Sequence, residues 1–134
     1  ACLVGSEMCI RDSSNALPTN APAMAVDGDF ETWWGSGDFA PQWITVDLQA
    51  PVSIGQIRLA VSQYPDGQTV HQVWGRGPGE DYRLLHEFRG FTTDSQVLEY
   101  SPPTPWTGLQ FIRVDTLESP SWVSWREIEI LRAQ

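Results

Sequence analysis

The chain has 134 residues, the length of one domain with a single modest core. Its 41% apolar content excludes a wholly disordered chain, and no apolar run approaches the roughly 18 residues of a membrane-spanning helix. The formal net charge is -9, and all the strongly basic residues are arginines. This balance excludes nucleic acid as a partner and disfavours an anionic membrane, because phosphates repel such a surface.

The N-terminal residues carry a pattern foreign to a protein fold. Residues 6–13 resemble the in-frame translation of a transposase end sequence used to prepare sequencing libraries, and both Cys2 and Cys9 lie near it. A small disulfide loop or half a metal site is the alternative, although the spacing fits no common zinc motif. We predict that residues 1–13 are a sequencing-adapter artefact or a disordered tail, so that the true N-terminus, with any signal peptide or upstream domain, is missing. The domain then comprises residues 14–134, and removing the tail should shift the melting temperature by only a few degrees.

From residue 14 onward the pattern is typical of an all-β protein. Ten prolines and ten glycines separate short apolar runs, several of which alternate with a period of two. No segment has helical periodicity over about eleven residues, and no internal repeat is present. Strands are predicted over residues 42–48, 54–61, 70–74, 82–88, 96–100, 109–116 and 125–131. Seven or eight short strands joined by turns predict a jelly-roll β-sandwich of about eight mostly antiparallel strands.

An acidic segment precedes the first of these predicted strands. Asp27, Asp29 and Glu31 lie close to a turn glycine and to the hydroxyl of Thr32. A hard cation such as calcium takes six to eight oxygen ligands at about 2.3–2.6 Å, and a tight loop of this composition supplies them. The spacing is not that of an EF-hand. The alternative interpretation is an Asp-Gly turn with solvated acids.

The chain carries five short motifs in order: Asp27-Gly28-Asp29, Thr32-Trp33, Trp43, Val46-Asp47-Leu48 and Trp125-Arg126-Glu127-Ile128. Together they resemble the discoidin family, the coagulation factor 5/8 type C domains, whose bacterial members include the family 32 carbohydrate-binding modules. The resemblance covers residues 16–131, nearly all of the predicted domain. It implies a galactose-binding-like jelly roll that carries its ligand in loops at one end and, in many members, a structural calcium ion.

The resemblance also implies which residues hold the calcium ion. The side-chain ligands are those of Asp27, Thr32 and Glu127, and the backbone carbonyl ligands are those of Met24, Asp29, Thr32 and Arg126. Such an ion would join the N-terminal loop to the last strand. It would also neutralise two facing carboxylates that otherwise repel each other.

Sugar recognition needs an aromatic ring against the apolar face of a pyranose and polar groups near its hydroxyls. Three predicted loops, residues 35–42, 62–69 and 117–124, are candidates to meet at one end of the sandwich. Trp122 is the main candidate for the stacking platform, with a lid over the core as the alternative. The secondary ligand-binding candidates, for which ordinary turn residues are the alternative, are Tyr64, Asp66, Asp38 and Phe39. The three loops contain no arginine, which argues against galactose-type specificity but not against binding.

No catalytic motif accompanies these features. A nucleophile elbow, a Cys-His pair, a glycine-rich phosphate loop and a His-rich metal motif are all absent from the sequence, so we predict that the chain is not an enzyme. The predicted function is non-catalytic carbohydrate binding, supported by calcium, in a larger extracellular or cell-surface protein with an appended catalytic or adhesion domain. Cell adhesion through a protein or a lipid surface is the alternative.

Overall fold

The computed structural model describes residues 9–134. Within this range the chain forms eight strands and one short 3-10 helix. The elements are β1 (Cys9–Ser13), the 3-10 helix η1 (Pro22–Val26), β2 (Trp34–Gly35), β3 (Gln42–Val61), β4 (Gly67–Arg76), β5 (Arg83–Thr92), β6 (Val97–Tyr100), β7 (Trp106–Glu118) and β8 (Ser124–Arg132). All strand pairs are antiparallel, which confirms the predicted all-β sandwich. In this part of the chain, no helix has the length and apolar character needed to cross a bilayer.

The long strand β3 belongs to both halves of the sheet. Its first half pairs with β1 and β7, and its second half pairs with β8 and β6. The sequence pattern predicts two strands here, because Gln49 and the residues that follow it interrupt the alternation. The structure keeps one strand, with register shifts after Asp47 and a positive φ of 70° at Gln49. Irregularities of this kind bend a strand without ending it, so β3 changes partners instead of terminating.

The core follows from the alternation of the strand sequences. Ile44 and Val46 on β3 and Ile112 on β7 are fully buried, as their phase in the sequence predicts. Trp34, whose role the sequence leaves open, is also fully buried, and its indole N–H donates to the carbonyl of Asn15 at 2.9 Å. Each such side chain contributes about 1.5–3 kcal/mol on leaving water. The packed core therefore fixes the strands, and the strands fix the ends of the connecting loops.

Both histidines are strand residues. His71 on β4 is buried, and its Nδ1 lies 2.8 Å from the hydroxyl of Thr116. Burial lowers the pKa of His71 to about 4, because the charged form would lose its hydration. His86 on β5 stacks on the ring of Tyr100 with a centroid separation of 3.7 Å. Neither histidine lies in the loops at the end of the sandwich.

Strand pairing brings three loops to one end of the sandwich. Gln42, which opens β3, lies opposite Thr116 near the end of β7, and Val61, which closes β3, lies opposite Trp125 near the start of β8. The connections β2–β3, β3–β4 and β7–β8 therefore emerge side by side. These are the three loops that the sequence nominates.

Strand β1 begins before the predicted boundary at residue 14, and the boundary itself stays a prediction. Cys9–Ser13 form strand β1, which pairs with residues 44–47 of β3, and Ile10 packs against the core. Backbone hydrogen bonding depends little on side-chain identity, so a segment of foreign origin can still occupy a free strand edge. The adapter origin of residues 1–13 stays a prediction, and residues 1–8 lie outside the described range.

This strand generates a test of the boundary. We expect a chain that starts at Ser14 to melt about 5 °C or more below a chain that starts at Ile10, because it loses the β1 ladder and the burial of Ile10. Both chains lack cysteine, so disulfide chemistry does not confuse the comparison. Melting curves followed by circular dichroism measure the difference. A drop below about 2 °C would support the boundary at residue 14.

Candidate functional site

A cleft of about 400 Å³ lies between the three loops at the end of the sandwich. Each loop contributes to its wall. The lining residues are Phe39, Ser62, Gln63, Tyr64, Pro65, Pro120, Ser121, Trp122 and Ser124. The structure thus brings three of the predicted ligand-binding residues, Trp122, Tyr64 and Phe39, into one site, which we call the loop cleft.

The aromatic side chains of the loop cleft are exposed to solvent. Tyr64 exposes 88% of its surface, Phe39 exposes 53% and Trp122 exposes 46%. The residue after Trp122, Val123, is buried, so the extended backbone directs the Trp122 ring outward. Three large aromatic groups around one concavity are an unusual concentration of exposed apolar surface, and such surfaces mark binding sites.

Hydrogen bonds hold the loops against one another. The Ser121 hydroxyl accepts from the backbone N–H of Tyr64 at 3.2 Å and donates to the carbonyl of Trp122 at 2.9 Å. The backbone N–H of Val123 donates to the carbonyl of Asp38 at 3.0 Å. These contacts link the loop of each aromatic residue to the loop of the next. The site is therefore formed before a ligand arrives, which lowers the entropic cost of binding.

A glycine permits the closest approach of two of these loops. A Cβ atom on Gly67 would lie only 2.8 Å from Cγ of Pro120, so a larger residue would push the β3–β4 and β7–β8 loops apart. The sequence pattern marks Gly67 as a turn residue. Its contact with Pro120 is visible only once the two loops are placed in space.

The polar groups of the loop cleft are hydroxyls and one amide. The amide of Gln63 is already engaged, because it donates to the carbonyls of Pro65 and Thr92 at 3.2 Å each and accepts from the Thr92 hydroxyl at 2.8 Å. The hydroxyls of Ser62 and Ser124 make no hydrogen bond to any residue in the described range 9–134. These two groups are therefore open to the hydroxyls of a ligand.

Two predicted ligand residues lie beside the loop cleft and do not line it. The carboxylate of Asp38 accepts from the backbone N–H of Phe39 at 2.8 Å. The carboxylate of Asp66 accepts from the backbone N–H of Asp94 at 3.3 Å. Both acids thus shape turns, which is the alternative interpretation for them. The serines of the cleft were not nominated, because a loop serine gives no distinctive sequence signal.

A second cluster joins the N-terminal loop to strand β8. Both carboxylate oxygens of Glu127 accept from the backbone N–H of Gly28, at 3.2 and 3.1 Å, across 99 residues of sequence. The carboxylate of Asp27 accepts from the N–H of Asp29 at 3.0 Å and from the hydroxyl of Thr32. We call residues 27–32 the acidic loop. Met24 in η1 precedes this loop, and Arg126 precedes Glu127 on β8.

Glu127 is the electrostatically unusual member of this cluster. Its side chain is buried, and burial raises its pKa to about 7, with further upward contributions from Asp27, Glu129 and Asp29. The Gly28 N–H opposes this rise by stabilising the carboxylate. A carboxyl group in this position binds either a proton or a cation.

The donor set fits a hard cation, because the groups around Glu127 are carboxylate, hydroxyl and carbonyl oxygens. Within residues 9–134 there is no group of three or more His, Cys, Asp or Glu side chains arranged around a common metal position. Two carboxylates with a hydroxyl and backbone carbonyls are the set that the sequence resemblance implies. The carbonyl of Asp29 already accepts from the Thr32 hydroxyl at 3.1 Å.

The raised pKa of Glu127 predicts a pH effect on stability. Without metal, the folded chain holds this proton up to about pH 7, whereas the unfolded chain releases it near pH 4.5. Between these values the folded chain binds more protons than the unfolded chain, so the free energy of unfolding falls as pH rises. The lowered pKa of His71 acts in the opposite sense over an overlapping range. The quantity to measure is therefore the difference in the free energy of unfolding between the wild type and the Glu127→Gln variant. In urea unfolding with EDTA, the wild type should lose stability relative to the variant from pH 5 to pH 7.5. A constant difference across this range would contradict the prediction.

Fold and loop cleft together describe a β-sandwich that presents a preformed, largely uncharged site at one end. Residues 10–128 match the F5/8 type C domain family, and the chain belongs to this family. No curated protein sequence gives a significant match.

Solved structures of carbohydrate-binding modules, two of them of family 32, are similar to the chain. A module of NanJ from Clostridium perfringens, in complex with galactose, has a TM-score of 0.79 at 16% identity, over 92% of this chain and 93% of that one. A module from a family 31 glycoside hydrolase of Clostridium perfringens has a TM-score of 0.82 at 19% identity, over 93% and 94%. A pectin-binding carbohydrate-binding module has a TM-score of 0.76 at 22% identity, over 94% and 91%. At these identities the likeness establishes the fold.

Proposed function

We propose that this chain is a non-catalytic carbohydrate-binding module that holds a glycan in the loop cleft. The observation that carries the proposal is the grouping of three exposed aromatic side chains, Phe39, Tyr64 and Trp122, around one concavity with open hydroxyls. Pyranose rings are apolar on their faces and polar at their edges. A site that pairs aromatic surface with hydroxyl groups complements both features.

The residues of the loop cleft support binding rather than hydrolysis. Glycoside hydrolysis needs two carboxyl groups on either side of the scissile bond, and none of the lining residues is an acid. The similar structures include binders of galactose and of pectin and a module taken from a glycoside hydrolase. By analogy, this chain serves as the binding part of a larger protein that acts on glycans. Its expected setting is extracellular or at a cell surface, where polymeric glycans occur.

Trp122 is the stacking platform in this proposal. Trp122→Ala should weaken glycan binding by about tenfold or more, because a stacked aromatic ring contributes on the order of 1–3 kcal/mol. Isothermal titration with a glycan selected on an array measures the effect. The melting temperature should fall by no more than a few degrees, because nearly half of the side chain is exposed.

Phe91→Ala is the matched control for this variant. Phe91 is an aromatic residue on β5 with 66% exposure, outside the loop cleft, and its removal should leave affinity unchanged. An unchanged affinity in Trp122→Ala, together with a loss of several kcal/mol in stability, would show instead that Trp122 covers the core.

We also propose that a structural calcium ion binds between the acidic loop and β8, held by Asp27, Thr32 and Glu127. The support is the buried Glu127 carboxylate, which faces other acids and has an oxygen-rich surrounding. The ion would supply the positive charge that this cluster lacks. It would strengthen the junction that the Gly28–Glu127 hydrogen bonds already make.

Chelation tests the calcium proposal. A ligand that binds only the folded state stabilises it by RT ln(1 + [L]/Kd), about 2.7 kcal/mol at a hundredfold excess over Kd. Millimolar calcium should therefore raise the melting temperature by several degrees over EDTA, and Asp27→Asn should reduce this response. Asp66→Asn, which removes an acid outside the cluster, should keep it. Overlapping melting curves of the wild type in calcium and in EDTA would refute the proposal.

A further inference from the structure

Within residues 9–134, none of the residues that line the loop cleft carries an ionised group. Its nine lining residues are aromatic residues, serines, prolines and one glutamine. Of the polar groups among them, only neutral hydroxyls such as those of Ser62 and Ser124 are open to a ligand. An anionic ligand group would therefore find no oppositely charged partner here, and its hydrogen bonds would come only from neutral donors.

The basic residues of the chain do not line the loop cleft. None of the eight arginines lines the loop cleft, and the sequence contains no lysine. Arg126, two residues after the lining residue Ser124, is bound to the carboxylate of Asp94 at 2.9 Å and to the carbonyl of Phe30 at 3.0 Å. Six arginines form ion pairs or lie over aromatic rings away from the cleft, namely Arg11, Arg58, Arg76, Arg89, Arg113 and Arg126.

The three loops themselves carry only negative charge. Asp38 and Asp66 belong to these loops, Glu118 ends β7 beside them, and no basic residue accompanies them. Asp38 adjoins the lining residue Phe39, and Asp66 adjoins the lining residue Pro65, so both acids stand next to the cleft in the chain. Salt largely screens charges only beyond about 8 Å at physiological ionic strength. A net charge of -9 over the whole chain adds to this potential.

An acidic sugar would meet two unfavourable effects in this site. Its carboxylate or sulfate would lose water without gaining a cationic partner, and it would approach a rim of like charge. A neutral sugar would meet neither effect. We propose, building on the carbohydrate-binding function above, that the loop cleft selects uncharged glycans and rejects glycans that carry uronate, sialate or sulfate groups.

A glycan array with matched pairs tests this selection. Each pair contains one neutral glycan and the same glycan with an added sialate or sulfate group, together with polygalacturonate and its carboxyl-reduced form. Wild type and Trp122→Ala are compared on the same array, and only binding that Trp122→Ala reduces at least fivefold is assigned to the loop cleft. Affinities of the selected pairs are then measured by titration at 150 mM sodium chloride.

The expected result is that every glycan assigned to the loop cleft is uncharged and that its acidic counterpart binds at least tenfold more weakly. An acidic member that binds through the cleft within threefold of its neutral counterpart would overturn the selection while leaving carbohydrate binding intact. An array without any binding that depends on Trp122 would refute the proposed function, and the selection with it.

Discussion

The pairing of one long strand with four others is the constraint on which the rest of the structure depends. β3 contacts β1 and β7 with its first half and β8 and β6 with its second half, so its course sets the relative position of both halves of the sheet. The loops at its two ends meet at the short β7–β8 connection, because Gln42 lies opposite Thr116 and Val61 lies opposite Trp125. The loop cleft is a consequence of this pairing, and its residues need only occupy the loops that the strands have already placed.

Strand alternation divides the aromatic residues between the core and the loop cleft. Trp34 and Trp125 point inward and are buried, whereas Trp122 lies just before β8 with its ring exposed. Alternating apolar runs predict the strands of the core well, because a period of two is a direct signature of a half-buried strand. β1 and β2 were not predicted, since Cys9–Ser13 has no such alternation and Trp34–Gly35 is only two residues long. The alternation of apolar residues also could not predict that β3 continues through Gln49, because this continuity depends on pairing with neighbouring strands.

The candidate site was predictable to the extent that aromatic residues stand out in loops. Phe39, Tyr64 and Trp122 are noticeable in sequence because apolar rings between turn residues are uncommon. The direction of Asp38 and Asp66 was not predictable, because each carboxylate is captured by a backbone N–H whose position depends on the local turn. The same limit applies to Ser121, whose hydroxyl joins two loops only in the folded chain.

The contact between the Phe39 loop and the Trp122 loop is made by main-chain atoms. The N–H of Val123 donates to the carbonyl of Asp38, and the N–H of Ser36 donates to the carbonyl of Val123. Replacement of the side chains at positions 39 and 122 leaves these hydrogen bonds available. The scaffold can thus acquire new ligand preferences by single substitutions on an unchanged frame, which makes this end of the sandwich a tolerant region for natural divergence and for engineering.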